Sequence, residues 1–329
     1  MKMKAAVFTK YGPPKDVLKV KEIEKPTPKD NELLIKINAA AICWADRAII
    51  TGKPFIARLS SGLLKPKHTI PGVEIAGQVE KVGKNITQFH SGDEIFADIS
   101  ECGFGAFAEY VSVPENALAL KPDNITFQEA AAAPQYSLVA LQGLRDKGKI
   151  QNGQKVLING ASGGVGTFAV QIAKAFEAEV TGVCSAKNLK LVRSIGADHV
   201  IDYTKEDFTK NEKRYDLILD IAANRSVSEY MHVLNSNGSY VAVAFKSSAL
   251  FLGPLISMTR NKNVSQLSHK PNVKDLLFMK ELIEAGKVVP VIDRTYPLNE
   301  IAEALQYYGE GHPSGKVVIN MDHNPRGEV

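Results

Sequence analysis

The sequence is short of cysteine and of long apolar runs, and each shortage excludes a class of protein. Its three cysteines, Cys43, Cys102 and Cys184, are too few and too scattered for a disulfide framework or a four-cysteine zinc site. No apolar run approaches the ~20 residues that a membrane-spanning helix needs. We therefore expect neither a structural zinc lobe built on cysteines nor insertion into a membrane.

An excess of charge of one sign is also lacking. The chain has 40 Lys and Arg against 36 Asp and Glu, a formal net charge of +4 that is spread along the sequence rather than concentrated in tails. This distribution gives no support to nucleic-acid binding. The N-terminus is basic and then briefly apolar, but Lys10, Lys15 and Asp16 follow too soon for a secretory signal. We expect a cytoplasmic protein without nucleic-acid or membrane partners.

What the sequence does contain is the composition of a globular protein of two domains. Its 329 residues, 44% of them hydrophobic and 23% charged, exceed the ~250–300 at which single cores usually split. Short strands with Gly and Pro punctuation are predicted at 4–9, 17–23, 32–37, 73–82, 94–97 and 106–113. A capping box, Thr126 to Glu129, then opens an alanine-rich helix and marks a change from β to α character.

From residue 155 the pattern alternates between strand and helix. Strands are predicted at 156–158, 179–183, 199–201, 216–220 and 240–244. Such alternation favours an α/β fold with a doubly wound parallel sheet. The last part of the chain, with helices at 273–285 and 300–307 and a strand at 316–319, is too short for a domain of its own. The expected domains are therefore a β-rich one, 1–125 with 265–329, and a nucleotide-binding one, 126–264.

One stretch, residues 155–175, carries a strand, a glycine turn and a helix in succession. Gly163 and Gly166 take the second and third glycine positions of the G-x-G-x-x-G pattern, and Ala161 takes the first. The second glycine lets a pyrophosphate approach the backbone, and the third lets helix and strand pack closely. A bare turn explains many isolated glycine triplets, but this context predicts dinucleotide binding by the residues Ala161, Ser162, Gly163, Gly164, Val165 and Gly166.

In several of its motifs the chain resembles the medium-chain dehydrogenase/reductase superfamily, in its zinc-independent quinone oxidoreductase-like branch. The matching text lies, in family order, at 70–77, 82–83, 107–110, 160–166, 170–174, 189–198, 286–290 and 315–319. The resemblance implies a GroES-like catalytic domain, a Rossmann domain, an active-site cleft between them and a homodimer. It also implies NADPH-dependent reduction of quinones, enones or enals.

The residues after the second strand of the Rossmann domain bear on the choice of cofactor. An NAD site places an Asp or Glu roughly 20 residues beyond the glycine loop, but here Ser185 and Lys187 stand in that window. A hydroxyl and a cation suit a 2′-phosphate, so NADPH is predicted. The resemblance adds Tyr203 as a phosphate contact, and Asn224, after the fourth strand, is a hydrogen-bonding candidate for the cofactor. The alternative is that Lys187 is merely solvated and Tyr203 caps a loop.

The ligands of a catalytic zinc are incomplete. In zinc-dependent relatives they are an early cysteine, the histidine of a Gly-His-Glu triplet and a third residue near the domain junction. Cys43 matches the first, but Val73 replaces the histidine and Gln135 falls near the third position. A zinc site needs about three Cys, His or carboxylate ligands, so no metal is predicted. Cys43 is then either a small residue lining the cleft or an ordinary buried thiol.

The chemistry that remains is hydride transfer without a Lewis acid. Addition to a quinone or to the β-carbon of a conjugated carbonyl spreads the developing charge and can rely on positioning and a few hydrogen bonds. Candidate catalytic residues are Asp46, for which the resemblance implies a supporting role, and Tyr136, which is able to donate to a carbonyl or only to pack. Two other hypotheses stay open: an NADPH-binding redox sensor or scaffold without turnover, and an atypical zinc alcohol dehydrogenase.

Overall fold

The computed structural model describes residues 1–55, 57–246, 248–249, 261–311 and 313–321. The chain forms two compact units. The first contains Met1–Gln135, Pro271–Glu284 and the described residues from Pro290 onward, and the second contains the described part of Tyr136–Lys270 together with Ala285–Val289. None of the described helices combines the length and the apolar character that crossing a bilayer requires.

The first unit is built on strands that pair antiparallel, except for one parallel pair formed by its last two strands. They are β1 (Lys2–Val7), β2 (Lys19–Glu24), β3 (Glu32–Ile42), β4 (Glu74–Val82), β5 (Glu94–Asp98), β6 (Tyr110–Pro114), β7 (Ala119–Leu120), β14 (Ile292–Pro297) and β15 (Lys316–Asn320). β1 and β2 pair with each other, and the larger sheet runs β14-β15-β3-β4-β5-β7 with β6 on β3. The strand predicted at 106–113 begins only at Tyr110, because Ala106 N and Phe107 N bond to Gly72 O and Pro71 O instead of to a regular ladder.

The first unit also contains helices, several of which pack on this sheet. They are α1 (Pro14–Val17), α2 (Trp44–Thr51), α3 (Ala57–Ser61), α4 (Phe127–Ala132), α9 (Val273–Glu284) and α10 (Ile301–Gly309). The predicted capping box of α4 is confirmed: Thr126 Oγ1 accepts from Glu129 N at 3.3 Å, and Thr126 N donates to Glu129 Oε2 at 2.8 Å. The core under the helices includes the fully buried Leu33, Ile35 and Ile37 of β3.

The second unit contains a parallel sheet. Its elements are α5 (Pro134–Leu141, which begins in the first unit), β8 (Lys155–Asn159), α6 (Gly164–Ala175), β9 (Glu179–Cys184), α7 (Leu189–Ser194), β10 (His199–Asp202), β11 (Tyr215–Asp220), α8 (Val227–Val233), β12 (Leu234–Ala242) and β13 (Asn263–Gln266). The strands lie in the order β10-β9-β8-β11-β12-β13, and each neighbouring pair is parallel. This is the Rossmann order, so the predicted fold class is confirmed.

The unit boundaries fall at 135/136 and 270/271, compared with the expected 125/126 and 264/265. α4 packs on β3 and β4, which keeps it in the first unit although its composition differs from the preceding strands. β13 pairs with β12 and so extends the Rossmann sheet. The sequence pattern does not predict β13, since it is short and polar and only Val264 is buried.

Candidate functional site

The glycine loop follows β8 at the carboxyl edge of the parallel sheet. Gly160 has a φ of +92°, which favours glycine, and it turns the chain out of the strand. The N–H groups of Gly160 and Ala161 both donate to Val183 O on β9, at 3.1 and 3.0 Å. The loop is therefore tied to the second strand before α6 begins at Gly164.

Adding a side chain at Gly163 and adding one at Gly166 would have different consequences. A Cβ atom on Gly166 would lie 2.1 Å from Gly160 O and 2.7 Å from Ala161 C, distances that no real Cβ tolerates. Among the described residues, a Cβ atom on Gly163 would meet only Gly160 O, at 3.7 Å. Gly166 is thus required by the packing of α6 on the loop, whereas no other described residue fills the space beside Gly163.

The N-terminus of α6 suits an anion. Its N-cap is Gly163, which has no side chain to bond the first N–H groups. Those N–H groups and the helix dipole favour a negative charge at this point. The residues present therefore fit the pyrophosphate of a dinucleotide.

The predicted phosphate-binding residues lie beside this loop. Ser185 is the N-cap of a short 3₁₀ helix, Ala186–Asn188, and its side chain makes no capping bond, while Lys187 is exposed. Tyr203 follows β10, is 45% exposed, and donates its N–H to Cys184 O at 3.2 Å. The structure thus brings Ser185 and Tyr203 to the same edge as the glycine loop.

Two further contacts define that edge. Asn188 Nδ2 donates to Ser162 Oγ at 2.9 Å and ties the second-strand loop to the glycine loop. Asp202, at the end of β10, is the carboxylate in register with Cys184, but it is 9% exposed and its Oδ1 accepts from Thr204 N and Oγ1. These hydrogen bonds lower the pKa of Asp202. The edge therefore exposes a hydroxyl and a cation rather than this carboxylate.

A buried polar network between β8 and β11 was missed by the sequence reasoning. Asn159 and Asp220 end these two strands and pair in register. The fully buried Asp220 carboxylate accepts from Asn159 Nδ2 (3.0 Å), Ala223 N (3.0 Å), Tyr230 OH (2.8 Å), Tyr240 OH (2.7 Å) and Lys246 Nζ (3.2 Å). The sequence does show a polar residue at the end of each of these two apolar strands, and that feature could have revealed the network.

This network shapes the loop that carries Asn224. Ala223 has a φ of +51°, unusual for alanine, and its N–H is held by Asp220. Asn224 is exposed, and its Oδ1 accepts from Asn159 Nδ2 at 2.9 Å. Lys246 Nζ donates to the carbonyl of Arg225. The loop at the fourth strand is thus anchored at several points.

The tyrosines of the network stay protonated donors. Burial, followed by the nearby Asp220 carboxylate, raises the pKa of both Tyr230 and Tyr240 far above the usual value. Each phenol therefore keeps its proton at neutral pH and donates it to Asp220.

Asp46 and Cys43 lie in the first unit, at the start of α2. Cys43 is the N-cap, and its N–H donates to Asp46 Oδ2 at 2.8 Å. Asp46 is fully buried, and its Oδ1 has no hydrogen-bond partner within the described residues. Burial raises the pKa of Asp46 to about 7 and raises that of the Cys43 thiol well above its usual value. Asp46 thus supports the helix start, and Cys43 is a buried thiol.

The position of the triplet histidine is taken by the fully buried Val73, and the next residue, Glu74, is bound elsewhere. Glu74 forms an ion pair with Lys316, both fully buried, and its Oε1 accepts from Gln135 N at 2.9 Å. Burial raises the pKa of Glu74, and the Lys316 cation opposes that rise. Across the described ranges, no cluster of three or more His, Cys, Asp or Glu side chains is arranged to hold a metal ion.

Tyr136, the other catalytic candidate, is 9% exposed and lies in α5. It is the first residue of the second compact unit. Its burial leaves little of the side chain at the surface of the chain.

The buried Asp46 carboxyl makes stability depend on pH. Its pKa rises from 3.8 unfolded to about 7 folded, so the folded chain holds a proton that the unfolded chain releases above about pH 4. We expect the free energy of unfolding of Asp46→Asn, relative to wild type, to rise by about 3 kcal/mol between pH 4 and pH 7. Urea unfolding across this range measures it.

The exposed Asp16 gives the matched control, Asp16→Asn, whose difference from wild type should stay nearly flat over the same pH range. Parallel stability curves for wild type and Asp46→Asn would show that Asp46 is ionised in the folded protein throughout.

Comparison with known proteins places the chain in a family. Residues 29–123 match the model of the alcohol dehydrogenase GroES-like domain, and residues 195–319 match that of the zinc-binding dehydrogenases. The chloroplast envelope quinone oxidoreductase homolog of Arabidopsis thaliana is 32% identical, with 96% of this chain and 98% of that protein covered. The chloroplastic NADPH-dependent alkenal/one oxidoreductase of the same plant is 36% identical over 96% of this chain and 79% of its own.

Solved structures agree. The quinone oxidoreductase of Coxiella burnetii superposes with a TM-score of 0.87 at 27% identity, covering 97% of this chain and 99% of its own. An NAD-dependent alcohol dehydrogenase superposes with a TM-score of 0.84, also at 27% identity, covering 97% and 99%.

A Rossmann sheet with its glycine loop, joined in one chain to a GroES-like unit, defines a medium-chain dehydrogenase/reductase, and the chain belongs to that superfamily. Within the superfamily it belongs to the quinone-oxidoreductase-like branch. The protein is an oxidoreductase.

Proposed function

We propose that this enzyme is an NADPH-dependent reductase of quinones or α,β-unsaturated carbonyls that works without a catalytic metal. The observation that carries the proposal is the exposed edge after β9 and β10. It presents Ser185, Lys187 and Tyr203 beside the glycine loop, where an NAD enzyme has a carboxylate. Relatives named for NADPH-dependent alkenal/one reduction and for quinone reduction support the same reading.

In this proposal, different residues of the chain bind different parts of the dinucleotide. The N–H groups at the start of α6 bind the pyrophosphate next to Gly163, where no Cβ intervenes. The Ser185 hydroxyl and the Lys187 cation bind the 2′-phosphate, with Tyr203 beside them. The loop of Asn224, anchored on Asp220, supports the nicotinamide end. When bound, NADPH supplies the hydride.

The residues at the three zinc-ligand positions favour conjugated acceptors over simple ketones and alcohols as substrates. Of the three zinc-ligand positions only Cys43 carries a ligand, since Val73 is apolar and Gln135 is a poor ligand. Glu74, the nearest carboxylate in the triplet, is occupied by Lys316. Without a Lewis acid, an acceptor must spread the charge of the added hydride itself, as quinones and enones do. Asp46 then has a supporting role, and Tyr136 is proposed as a hydrogen-bond donor to the substrate carbonyl.

Steady-state NADPH oxidation with a panel of quinones, enals, enones and simple ketones tests the function. Turnover of conjugated acceptors, unchanged after exhaustive chelation, is the expected result. Intact NADPH binding without any turnover would favour a sensor or scaffold. Stoichiometric zinc in the purified protein, with activity lost on its removal, would favour an alcohol dehydrogenase.

Lys187→Ala tests the cofactor assignment. Removing a cation that pairs with the 2′-phosphate should weaken NADPH binding about five- to tenfold, roughly 1 kcal/mol, and leave NADH binding unchanged. Fluorescence titration with both dinucleotides measures this. Lys147→Ala is the matched control, because Lys147 is exposed but precedes β8 instead of following a strand. Equal NADH and NADPH affinities in wild type, unaffected by Lys187→Ala, would contradict the assignment.

We also propose that the enzyme is a cytoplasmic homodimer, the dimer being what the family resemblance implies. Light scattering of the purified protein tests the dimer. The relatives include chloroplastic and mitochondrial proteins and so lend no support to the cytoplasmic location, which fractionation of the source cells would test.

A further inference from the structure

The carboxyl ends of β8 and β11 lie side by side where the strand order of the parallel sheet reverses. Along the chain β8 is the first strand of this sheet and β11 the fourth, and the two are neighbours in the order β10-β9-β8-β11-β12-β13. Dinucleotides bind in the crevice at such a switch point. Asn224 lies in the loop after β11 and is exposed. Its side chain therefore stands at the end of the sheet where a dinucleotide binds.

The loop after β11 is held by its own backbone. The N–H groups of Ile221 and Ala222 both donate to Asn159 O, at 3.0 and 3.2 Å. The next N–H, that of Ala223, donates to Asp220 Oδ1 at 3.0 Å. Three successive N–H groups are thus bonded to the last residues of β8 and β11, which fixes the path of the loop.

The orientation of the Asn159 amide follows from the chemistry of Asp220. An ionised carboxylate only accepts hydrogen bonds, and this one already receives the Lys246 cation at 3.2 Å and the Ala223 N–H. The amide group that lies 3.0 Å from Asp220 Oδ1 must therefore be the NH₂ of Asn159. Both side chains are buried, so an amide turned the other way would leave polar groups unsatisfied, at a cost in stability.

The Asn159 amide in turn orients Asn224. Its two hydrogens are shared among three acceptors, and one of these is Asn224 Oδ1, at 2.9 Å. The carbonyl oxygen of Asn224 therefore faces inward. The other half of that amide is an NH₂ group with two N–H donors, and no other described residue accepts from it. The outward group of Asn224 is thus a donor.

We propose that Asp220 is a positioning residue that, through Asn159, turns Asn224 into a hydrogen-bond donor for an oxygen in the nicotinamide half of the dinucleotide. The carboxamide, the ribose and the phosphate of that half all carry acceptor oxygens, and the reversed amide would present a carbonyl to them instead. The inference rests on the proposed function, because it requires a dinucleotide in the crevice. It adds what the Asn224 side chain does there and which buried residue decides it.

Isothermal titration calorimetry of the full chain tests the donor. Asn224→Ala should weaken NADPH binding about three- to tenfold, which corresponds to one hydrogen bond. NADH shares the nicotinamide half and should lose the same factor. Asn224→Asp should weaken binding further, because its outward group is a carboxylate that cannot donate and repels the phosphates.

Two fragments of the cofactor identify the part that Asn224 binds. Adenosine 2′,5′-bisphosphate lacks the nicotinamide half and should bind Asn224→Ala as tightly as wild type. 2′-Phospho-ADP-ribose lacks only the nicotinamide ring and its carboxamide. A loss of affinity that persists with this fragment assigns the bond to the ribose or phosphate, and a loss that disappears assigns it to the carboxamide. Either result supports the donor.

A double-variant cycle tests the positioning role. Asp220→Asn should weaken NADPH binding about three- to tenfold in the wild-type background. In the Asn224→Ala background it should leave binding unchanged, because its effect passes through Asn224. A merely structural role would weaken binding by the same factor in both backgrounds. Asn159→Ala should show the same pattern, and it decides the question if Asp220→Asn does not fold, since Asp220 Oδ1 keeps the Ala223 and Tyr230 donors.

Asn237→Asp is the matched control for the added charge. Asn237 is exposed but lies in the first half of β12, away from the carboxyl edge of the sheet, so NADPH affinity should stay at the wild-type value. Circular dichroism melting confirms that each variant is folded. Unchanged NADPH affinity in Asn224→Ala, equal losses for NADPH and adenosine 2′,5′-bisphosphate, or additive effects in the cycle would overturn the inference and leave the proposed function standing. A wild type that binds no dinucleotide would overturn both.

Discussion

Gly166→Ala is expected to lower the free energy of unfolding by about 2–4 kcal/mol. The new methyl would lie 2.1 Å from Gly160 O and 2.7 Å from Ala161 C, which are backbone atoms and cannot rotate away. Relief requires α6 to move off the loop, and α6 is buried against the sheet by Phe168, Ile172 and their neighbours. Urea denaturation of the full chain, followed by circular dichroism, measures the loss.

Gly163→Ala is the matched variant, since the two glycines lie three residues apart. Its φ of −79° and ψ of 174° are ordinary for alanine, and the nearest atom would be 3.7 Å from the new methyl. Stability should change by less than about 1 kcal/mol. Dinucleotide affinity should fall about ten- to a hundredfold, because the methyl fills the space next to the helix N–H groups.

Comparison of Gly166→Ala with Gly163→Ala separates the effect of helix packing on stability from the effect of open space on dinucleotide affinity. Equal stability of Gly166→Ala and wild type would show that the helix and loop do not meet as closely as described. Unchanged NADPH affinity in Gly163→Ala would show that the pyrophosphate does not approach that residue.

Lys316→Met should destabilise the protein by about 3–5 kcal/mol, because it leaves Glu74 without its cation in a fully buried site. Glu74 would then fold only as the neutral acid, and its pKa, already raised by burial, would rise further. The loss should therefore be smaller in acid, where the unfolded chain is protonated too. Chemical denaturation at two pH values measures both effects.

Two controls define the origin of the loss. Adding Glu74→Gln to Lys316→Met removes the unpaired charge and should recover a substantial part of the stability. Lys280→Met breaks the surface pair with Glu284 and should cost less than about 1 kcal/mol. A double variant as unstable as Lys316→Met, or a Lys316→Met as mild as Lys280→Met, would contradict a decisive role for the buried pair.

Sequence patterns predicted the features that are local along the chain. The strand, turn and helix of 155–175 follow from an apolar run, glycine stereochemistry and helical spacing, all of which act within about twenty residues. The alternation after residue 155 predicted the parallel sheet, and the capping box predicted the start of α4. The strand at 263–266 was not predicted, because an edge strand with one buried residue has no periodic hydrophobic pattern.

The Asp220 network could be predicted from the sequence only in part. Asn159 and Asp220 are visible as polar ends of apolar strands, but their pairing depends on β8 and β11 being neighbours in register. Sequence reasoning selected Asn224 for the cofactor without the side chains that anchor its loop. Those anchors, Tyr230, Tyr240 and Lys246, come from a helix, a strand and a loop that only the fold brings together.

By itself, then, the sequence determined the Rossmann pattern and the glycine loop, because each is a property of a short stretch. The phosphate-binding role of Ser185 and Lys187 and the absence of a zinc site remain predictions of the same local kind. Only the tertiary structure decided that Glu74 is held by Lys316, 242 positions away. It did so because β3 pairs on one side with β4, placing Ala41 opposite Glu74, and on the other with β15, placing Ala41 opposite Val318. No pattern within either strand contains that register, and because both side chains are fully buried, each charge depends on the other.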